Sequence, residues 1–329
     1  MAGSSFARLL APLLAIALSM APFVGSPLHA EDYPARPIKI IVPFGPGGPG
    51  DVAARLLGNV LQDSMGQPIV VENRTGAGGV IGTQEVVKSP ADGYTLLLMS
   101  NTQTANESLM PAAQRKYDLM RDLVPIAPIN YSDLVIVVHP SVQAKTLAEF
   151  IALAKSQPGK LNYASSGTGT PYHMAGELFK AMAGIDVVHV PYRNSGDART
   201  GVISGQVQMM IDAVPAMAPN IVAGQVRALA TTGTKRSDVL PDVPTASEAG
   251  VPGYEATIWL GLMTPRGTPK PIIEKLNAAI NAFVKRPEII TLWKKQGALP
   301  MSMTTEEFDK FLRGDIVKWA AVVKKFNKS

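Results

Sequence analysis

The sequence contains no cysteine, which removes a disulfide framework, a thiolate nucleophile and an acylated lipoprotein anchor together. Its four histidines, His29, His139, His173 and His189, stand far apart, with no H-x₃-H or H-E-x-x-H spacing. Neither a metal site nor a cofactor is expected from them. No serine sits in G-x-S-x-G, so a nucleophile elbow is missing and no catalytic residue is expected. Ser166 and His173 are seven apart without an orienting carboxylate in evidence, and His173 reads as a packed or capping histidine. Only 17% of residues are charged. The basic ones form no run longer than pairs such as Lys294-Lys295 and Lys324-Lys325, which argues against a nucleic-acid partner. The formal net charge of +5 modestly favours small anions.

The one long apolar run is "LLAPLLAIAL", preceded by Arg8 and followed by "SPLHA". That order of charge, apolar stretch and small residues predicts an export leader over residues 1–30, cleaved after Ala30, and a periplasmic location. The run is too short to span a bilayer comfortably. Removing it leaves a chain of roughly 300 residues, large enough for two lobes.

Short β-branched runs alternate with amphipathic helical patterns nearly throughout, which predicts an α/β protein. Strands are expected at "IKIIVPF", "PIVVEN", "YTLLLMS", "LVIVVHP", "LNYASSG", "DVVHVPY", "QVQMMID", "RALATTG" and "ATIWLGLMTP". Helices are expected over about 51–65, 79–88, 146–158 (opened by a Thr146/Glu149 capping box), 171–184 and 269–285. A last helix opens with a second box, Thr304/Glu307. Residues 101–122 read as polar and irregular. Apolar segments near 131–138 and 256–263 read as crossings between lobes. The expected division is residues 31–131 plus 254–329 for one lobe and 132–253 for the other, with a cleft between.

Two glycine-rich loops stand out. In "IIVPFGPGGPGDVAARLL", Gly45, Gly47 and Gly50 satisfy G-x-G-x-x-G, and Glu72 follows 22 residues later, as in a dinucleotide site. Pro46 and Pro49, however, remove two backbone donors from the cradle. Asp51 reads as an N-cap whose carboxylate competes for the remaining ones. The free N–H groups near Gly47, Gly48 and Gly50 suit a carboxylate better than a diphosphate. "NYASSGTGTPYHMAGELF" repeats the design: a strand, then Gly167 and Gly169 among Ser165, Ser166, Thr168 and Thr170, then a helix. Two such loops on facing strands would hold one anion from both sides. Charge-assisted hydrogen bonds contribute roughly 1.5–3 kcal/mol each and a helix N-terminus about 0.3–1. A handful would reach the roughly 8 kcal/mol of a micromolar ligand. A third turn, "NRTGAGGVIG", is either a further cleft loop or close helix–sheet packing, the latter being the favoured reading.

In order, "YPARPIKIIVPFGPGGPGD", "ENRTGAGGVIGTQEVVKSPADGYTLLL", "YASSGTGTPYHMAGELF", "VPYRNSGDA", "TGTKRSDVLPDVPTASEAGVPGYEA" and "WLGLMTPRGTP" resemble the tripartite tricarboxylate transporter substrate-binding family, the Bug receptors. The likeness runs from about Tyr33 to the C-terminal helix. It implies a monomeric type II periplasmic binding protein whose two lobes, joined by two crossing strands, close on a small-molecule carboxylate, a di- or tricarboxylate or an aromatic one. Membrane permease subunits then take the ligand. A receptor signalling to a sensor kinase is the alternative, and an oxidoreductase using the first loop a distant third. By position, the resemblance implies a site made of Phe44, Gly45, Gly47, Gly48, Gly50 and Asp51, with Ser165, Ser166, Gly167, Thr168, Gly169 and Thr170 opposite. Ser100, Asn101, Thr102, Tyr192, Arg193 and Asp212 complete it. Gly50 stands where the family usually has Ser or Thr, which removes a hydroxyl and opens space for a bulkier ligand. Asn194 and Ser195 depart from the usual glycines and are expected to alter the distal pocket.

Overall fold

The computed structural model describes residues 33–326; the expected leader lies outside them. β1 (Ile38–Val42), α1 (Pro49–Met65), β2 (Ile69–Asn73), α2 (Val80–Val87) and β3 (Thr95–Ser100) follow the sequence reading closely. β1 pairs in parallel with both β2 and β3, and its residues are buried on both faces apart from Lys39, as a central parallel strand requires. α1 opens with Pro49 at its first position and closes on Gly66 at φ 69°, the asymmetry that proline and glycine impose on helix ends.

Residues 101–122 depart from expectation. They form α3 (Asn101–Leu109), α4 (Ala112–Arg115) and α5 (Leu119–Asp122). The Ser100 hydroxyl accepts from Thr102 N–H and Gln103 answers to Ser100 N–H, so a capping box starts α3. Its polar residues are buried rather than solvated, Thr104 donating to Asp315 Oδ2 at 2.5 Å. Polarity misled the sequence reading because several of these groups find partners far along the chain, Thr104 on Asp315, Asn101 on Thr257 O and Asn106 on Gly78 O.

β4 (Leu123–Val138) is twice the expected length and organises the molecule. Its first part pairs antiparallel with β9 (Thr257–Pro265), which in turn pairs with β3. Its last five residues pair instead with β7 (Met209–Ala213) and β8 (Arg227–Thr231). Beyond β7 lie β5 (Asn162–Ser165) and β6 (Val188–Pro191), both parallel. α6 (Leu147–Ser156), α7 (Pro171–Ala183), α8 (Ser195–Ile203) and α9 (Val214–Val222) cover this half. The Thr304/Glu307 box is complete, each residue accepting from the other's N–H, whereas Thr146 accepts from Glu149 N–H but the Glu149 carboxylate accepts from Lys145 N–H instead.

The sequence suggested two terminal helices; three are present. α10 (Lys270–Val284) and α12 (Thr305–Phe326) were expected, but Pro287 starts α11 (Pro287–Gln296) rather than ending the helical region. β10 (Ala298–Pro300) then returns to β4. The two halves have their own main cores, Ile40, Leu57, Leu98 and Phe283 in one and Leu134, Phe150, Phe179 and Tyr254 in the other, and a small cluster of Ala105, Met174, Trp319 and Val323 packs between them. Each α/β lobe thus has its own interior. Where the chain passes between them, Leu134 N–H donates to Thr232 Oγ1 at 2.8 Å and that hydroxyl donates to Ala256 O at 2.5 Å. One threonine ties both crossings together.

Candidate functional site

A cavity of about 600 Å³ opens where the loop after β1 and the loop after β5 approach each other. Of the expected residues, Phe44, Gly45, Gly48, Gly50, Ser100, Ser166, Gly167, Thr168, Gly169, Thr170, Tyr192 and Arg193 line it. The starts of α1 and α7 both reach this space. Val52 N–H to Gly48 O is the first turn bond of α1, which leaves the N–H groups of Gly50 and Asp51 without intrahelical acceptors. Thr170 caps α7 by accepting from His173 N–H.

Six expected residues do not line it: Gly47 is exposed outside the cavity, and Asp51, Asn101, Thr102, Ser165 and Asp212 are buried behind its wall. Asp51 is the third residue of α1, not its N-cap, which is Gly48. Burial works against its charge, but hydrogen bonds from Arg55, Gly47 N–H and Asn73 hold its carboxyl below the usual range. Asp51 therefore consumes the Gly47 donor that had been assigned to a ligand. The Asn101 amide donates to Thr257 O, and Thr102 N–H is spent on the Ser100 hydroxyl. Ser165 is fully buried against His189, 2.6 Å away. Asp212 is fully buried, and Arg199 Nε lies 3.0 Å from its carboxylate. Burial pushes the Asp212 carboxyl up to about 6, the Arg199 charge opposing. The dinucleotide alternative loses its acidic residue as well, since Glu72 pairs with Lys39 at 2.8 Å and Arg74 at 2.7 Å.

Two imidazoles support the second loop from behind. His173 Nδ1 accepts from Gly169 N–H at 3.2 Å, so that nitrogen carries no proton. Its ring lies 4.3 Å from that of His189, which also stacks on Tyr163 at 4.9 Å. Burial, helped by His173, pushes His189 down to about 4. Its neutral form is thus the folded form, and the unfolded chain binds the extra proton between pH 6.5 and 4. Stability from this group is present above pH 6.5 and is lost as pH falls. Asp212 titrates with the opposite sign, because its folded value is raised. Comparing His189→Gln with the parent cancels that contribution. The stability difference is expected to move in the variant's favour on acidification, by up to roughly 1.4 kcal/mol per pH unit. Urea titrations at pH 7, 6 and 5 check this, and a pH-independent difference contradicts it.

Sequence reasoning underrated the third glycine turn. Thr75, Gly76, Ala77, Gly78 and Gly79 line the cavity, and Ala77 holds φ 48°, a left-handed conformation that costs a residue with a Cβ. Packing also acts here, at Gly82, where a Cβ would stand 2.7 Å from Arg74 O. Both readings of "NRTGAGGVIG" hold, at different glycines. Asn106, Leu109 and Met110 at the end of α3, and Ile258 and Leu260 on β9, also line the cavity. No loop signal marks them, because they belong to regular elements. Asn194 and Ser195 are on the wall, as their departure from the family pattern suggested. Gly50 does not open space: a Cβ there would lie 2.9 Å from Leu98 Cδ2 and 3.0 Å from Phe44 Cδ2. Phe44 fills the room that the glycine leaves.

The lobes touch across the cavity at glycines. A Cβ on Gly45 would stand 3.0 Å from Asn194 Cβ, one on Gly78 3.1 Å from Thr168 O, and one on Gly169 3.1 Å from Asn106 Oδ1. The wall presents backbone dipoles and hydroxyls, with Arg193 as its one charged side chain among the described residues.

Known proteins agree with this architecture. Residues 53–328 match the model of the "Tripartite tricarboxylate transporter family receptor". BugT of Bordetella pertussis is 41% identical over 303 residues, covering 92% of each chain. The Rhodopseudomonas palustris protein Rpa4515, solved with adipate, is 34% identical with a TM-score of 0.86, over 90% of this chain and 99% of that one. MatC of the same organism, solved with malate, is 32% identical with a TM-score of 0.83, over 88% and 100% respectively. Members of this group are periplasmic substrate-binding receptors rather than enzymes. On its two lobes, its crossing strands, its paired glycine loops and these relatives, the chain belongs to the tripartite tricarboxylate transporter receptor family.

Proposed function

We propose that this protein captures an organic carboxylate between its lobes in the periplasm and hands it to the membrane permease subunits of a tripartite tricarboxylate-type system. The lobes are residues 31–131 with 254–329, and residues 132–253. The observation that carries the reading is the opening of two helix starts, α1 and α7, onto one cavity whose single charged side chain among the described residues is Arg193. Helix starts offer unpaired N–H groups and a positive dipole end to an anion. The adipate and malate held by the two solved relatives are of the same chemical class. Closure is a hinge motion about the Thr232 knot, and the ligand favours the closed form only through contacts it gains there.

Calorimetric titration of the exported protein against a carboxylate panel tests the proposal. At least one acid is expected to bind at micromolar strength, and its neutral amide is expected not to. Arg193→Gln is expected to weaken that acid about 10- to 100-fold, the value of one charge-assisted hydrogen bond of roughly 1.5–3 kcal/mol. Binding of sugars or cations with no acid bound would overturn the reading.

A further inference from the structure

The two crossing strands have a second face. In the register of β4 against β9, Ser132 stands opposite Ile258, which lines the cavity between the lobes. Tyr131 and Asp133 stand opposite Trp259 and Thr257 instead. Successive residues of a strand point to opposite faces, so Tyr131 and Asp133 point away from that cavity. They line another, of about 220 Å³, behind the hinge. Its walls come from both halves of the molecule. Thr234, Lys235 and Ser237 belong to the loop after β8, and Lys294 and Leu299 to α11 and β10. The halves touch here, since a Cβ on Gly297 would stand 2.8 Å from Val239 Cγ2.

Charge divides this pocket. Asp133 is half-buried, and among the described residues it accepts no hydrogen bond and joins no ion pair. Burial, with the Glu255 carboxylate adding to it, pushes its carboxyl up to about 6. A carboxylate withdrawn from water without a partner is costly, and a ligand's ammonium would supply that partner. The other walls are basic. Arg236 is held by Glu248 at 2.9 Å, but Lys294 reaches Asp238 only at 3.9 Å, with both side chains exposed. Lys235 joins no ion pair among the described residues. A simple anion entering here meets Asp133, and a simple cation meets the lysines. A molecule carrying both signs satisfies both ends. The volume lies below the roughly 300 Å³ at which drug-sized sites begin, which limits the occupant to about the size of an amino acid.

We propose that this pocket is a second ligand site, which takes a small zwitterion with its ammonium on Asp133 and its carboxylate on Lys235 and the Ser237 hydroxyl. The site is independent of the carboxylate reading of the cavity between the lobes. An occupant touches both halves behind the hinge, and so favours the lobe arrangement in which both walls reach it.

The test is calorimetry on the exported protein at pH 7.5 with glycine, L-alanine and L-serine. N-acetylglycine and glycinamide, each lacking one of the two charges, are the controls. At least one zwitterion is expected to bind, and at least tenfold more tightly than either control. Asp133→Asn keeps the shape of the side chain and removes its charge, and is expected to weaken that zwitterion at least tenfold. Lys235 is exposed, so its replacement leaves folding intact, and Lys235→Gln is expected to weaken binding at least threefold. Arg193→Gln is expected to leave it within twofold, because Arg193 lines the other cavity. Absence of binding by all three amino acids, or equal binding of a control, overturns the proposal. Loss of binding in Arg193→Gln with retention in Asp133→Asn overturns it too, by placing the amino acid between the lobes.

Discussion

Gly45→Leu is expected to lower ligand affinity at least 100-fold while leaving the unliganded protein as stable as the parent. Gly45 has an ordinary backbone conformation, and the only side chain a Cβ would meet is Asn194, across the cavity. Adding a leucine there strains nothing within its own lobe, and a surface-like change of this sort shifts stability by about 0.5 kcal/mol or less. What it prevents is approach. With 3.0 Å already the separation for a bare Cβ, the remaining carbons hold the two loops apart. The ligand then keeps contacts to one helix start and loses those to the other. Loss of two charge-assisted hydrogen bonds, at roughly 1.5–3 kcal/mol each, corresponds to at least two orders of magnitude in affinity. Asn194→Gly in the same molecule is expected to restore part of the loss, since glycine replaces asparagine at a helix N-cap for only a few tenths of a kcal/mol. Titration calorimetry reads the affinities and small-angle scattering reads whether ligand still compacts the protein. Affinity within threefold of the parent would show that Gly45 does not limit closure.

Glycine is also where the sequence was most legible and most easily misread. "GPGGPG" and "SSGTGT" were placed correctly as loops on strand ends, because glycine and proline punctuate an apolar run regardless of context. The alternating strands and helices were readable for the same local reason. The side of each loop residue was not. Asp51, Gly47 and Ser165 sit in the right loops, yet Asp51 holds Gly47 and His189 holds Ser165. These pairings arise from the way α1 and β6 pack, which spacing does not encode. Nor could the sequence show that Phe44 and Leu98 occupy the space beside Gly50, or that α3 brings Leu109 and Met110 to the wall. Loop chemistry is a local property, whereas the lining of a cavity between lobes depends on contacts that run the length of the chain.

The same distinction decides the outcome at Gly176, within α7. An exposed helical glycine replaced by alanine gains up to about 1 kcal/mol from propensity alone. Here a Cβ would stand 2.4 Å from Tyr163 Cε2 and 2.8 Å from Cζ, so overpacking, typically 1–3 kcal/mol, outweighs that gain. Tyr163 has no room to yield. It is fully buried, its hydroxyl donates to Glu177 Oε1 at 2.6 Å, and its ring stacks on His189. Gly176→Val adds two more carbons and is expected to cost roughly 3 kcal/mol, with Gly176→Ala in between. Displacing the Tyr163 ring moves His189, and with it the hydroxyl of Ser165 and the loop that opens onto the cavity. Affinity is therefore expected to fall along with stability, although Gly176 itself does not line the site. Tyr163→Leu removes the ring edge that the new methyls meet. A double-mutant cycle of Gly176→Val with Tyr163→Leu is expected to show at least about 1 kcal/mol of favourable coupling. Denaturant melts of the four proteins measure it, and additive losses would place the strain elsewhere than on that ring.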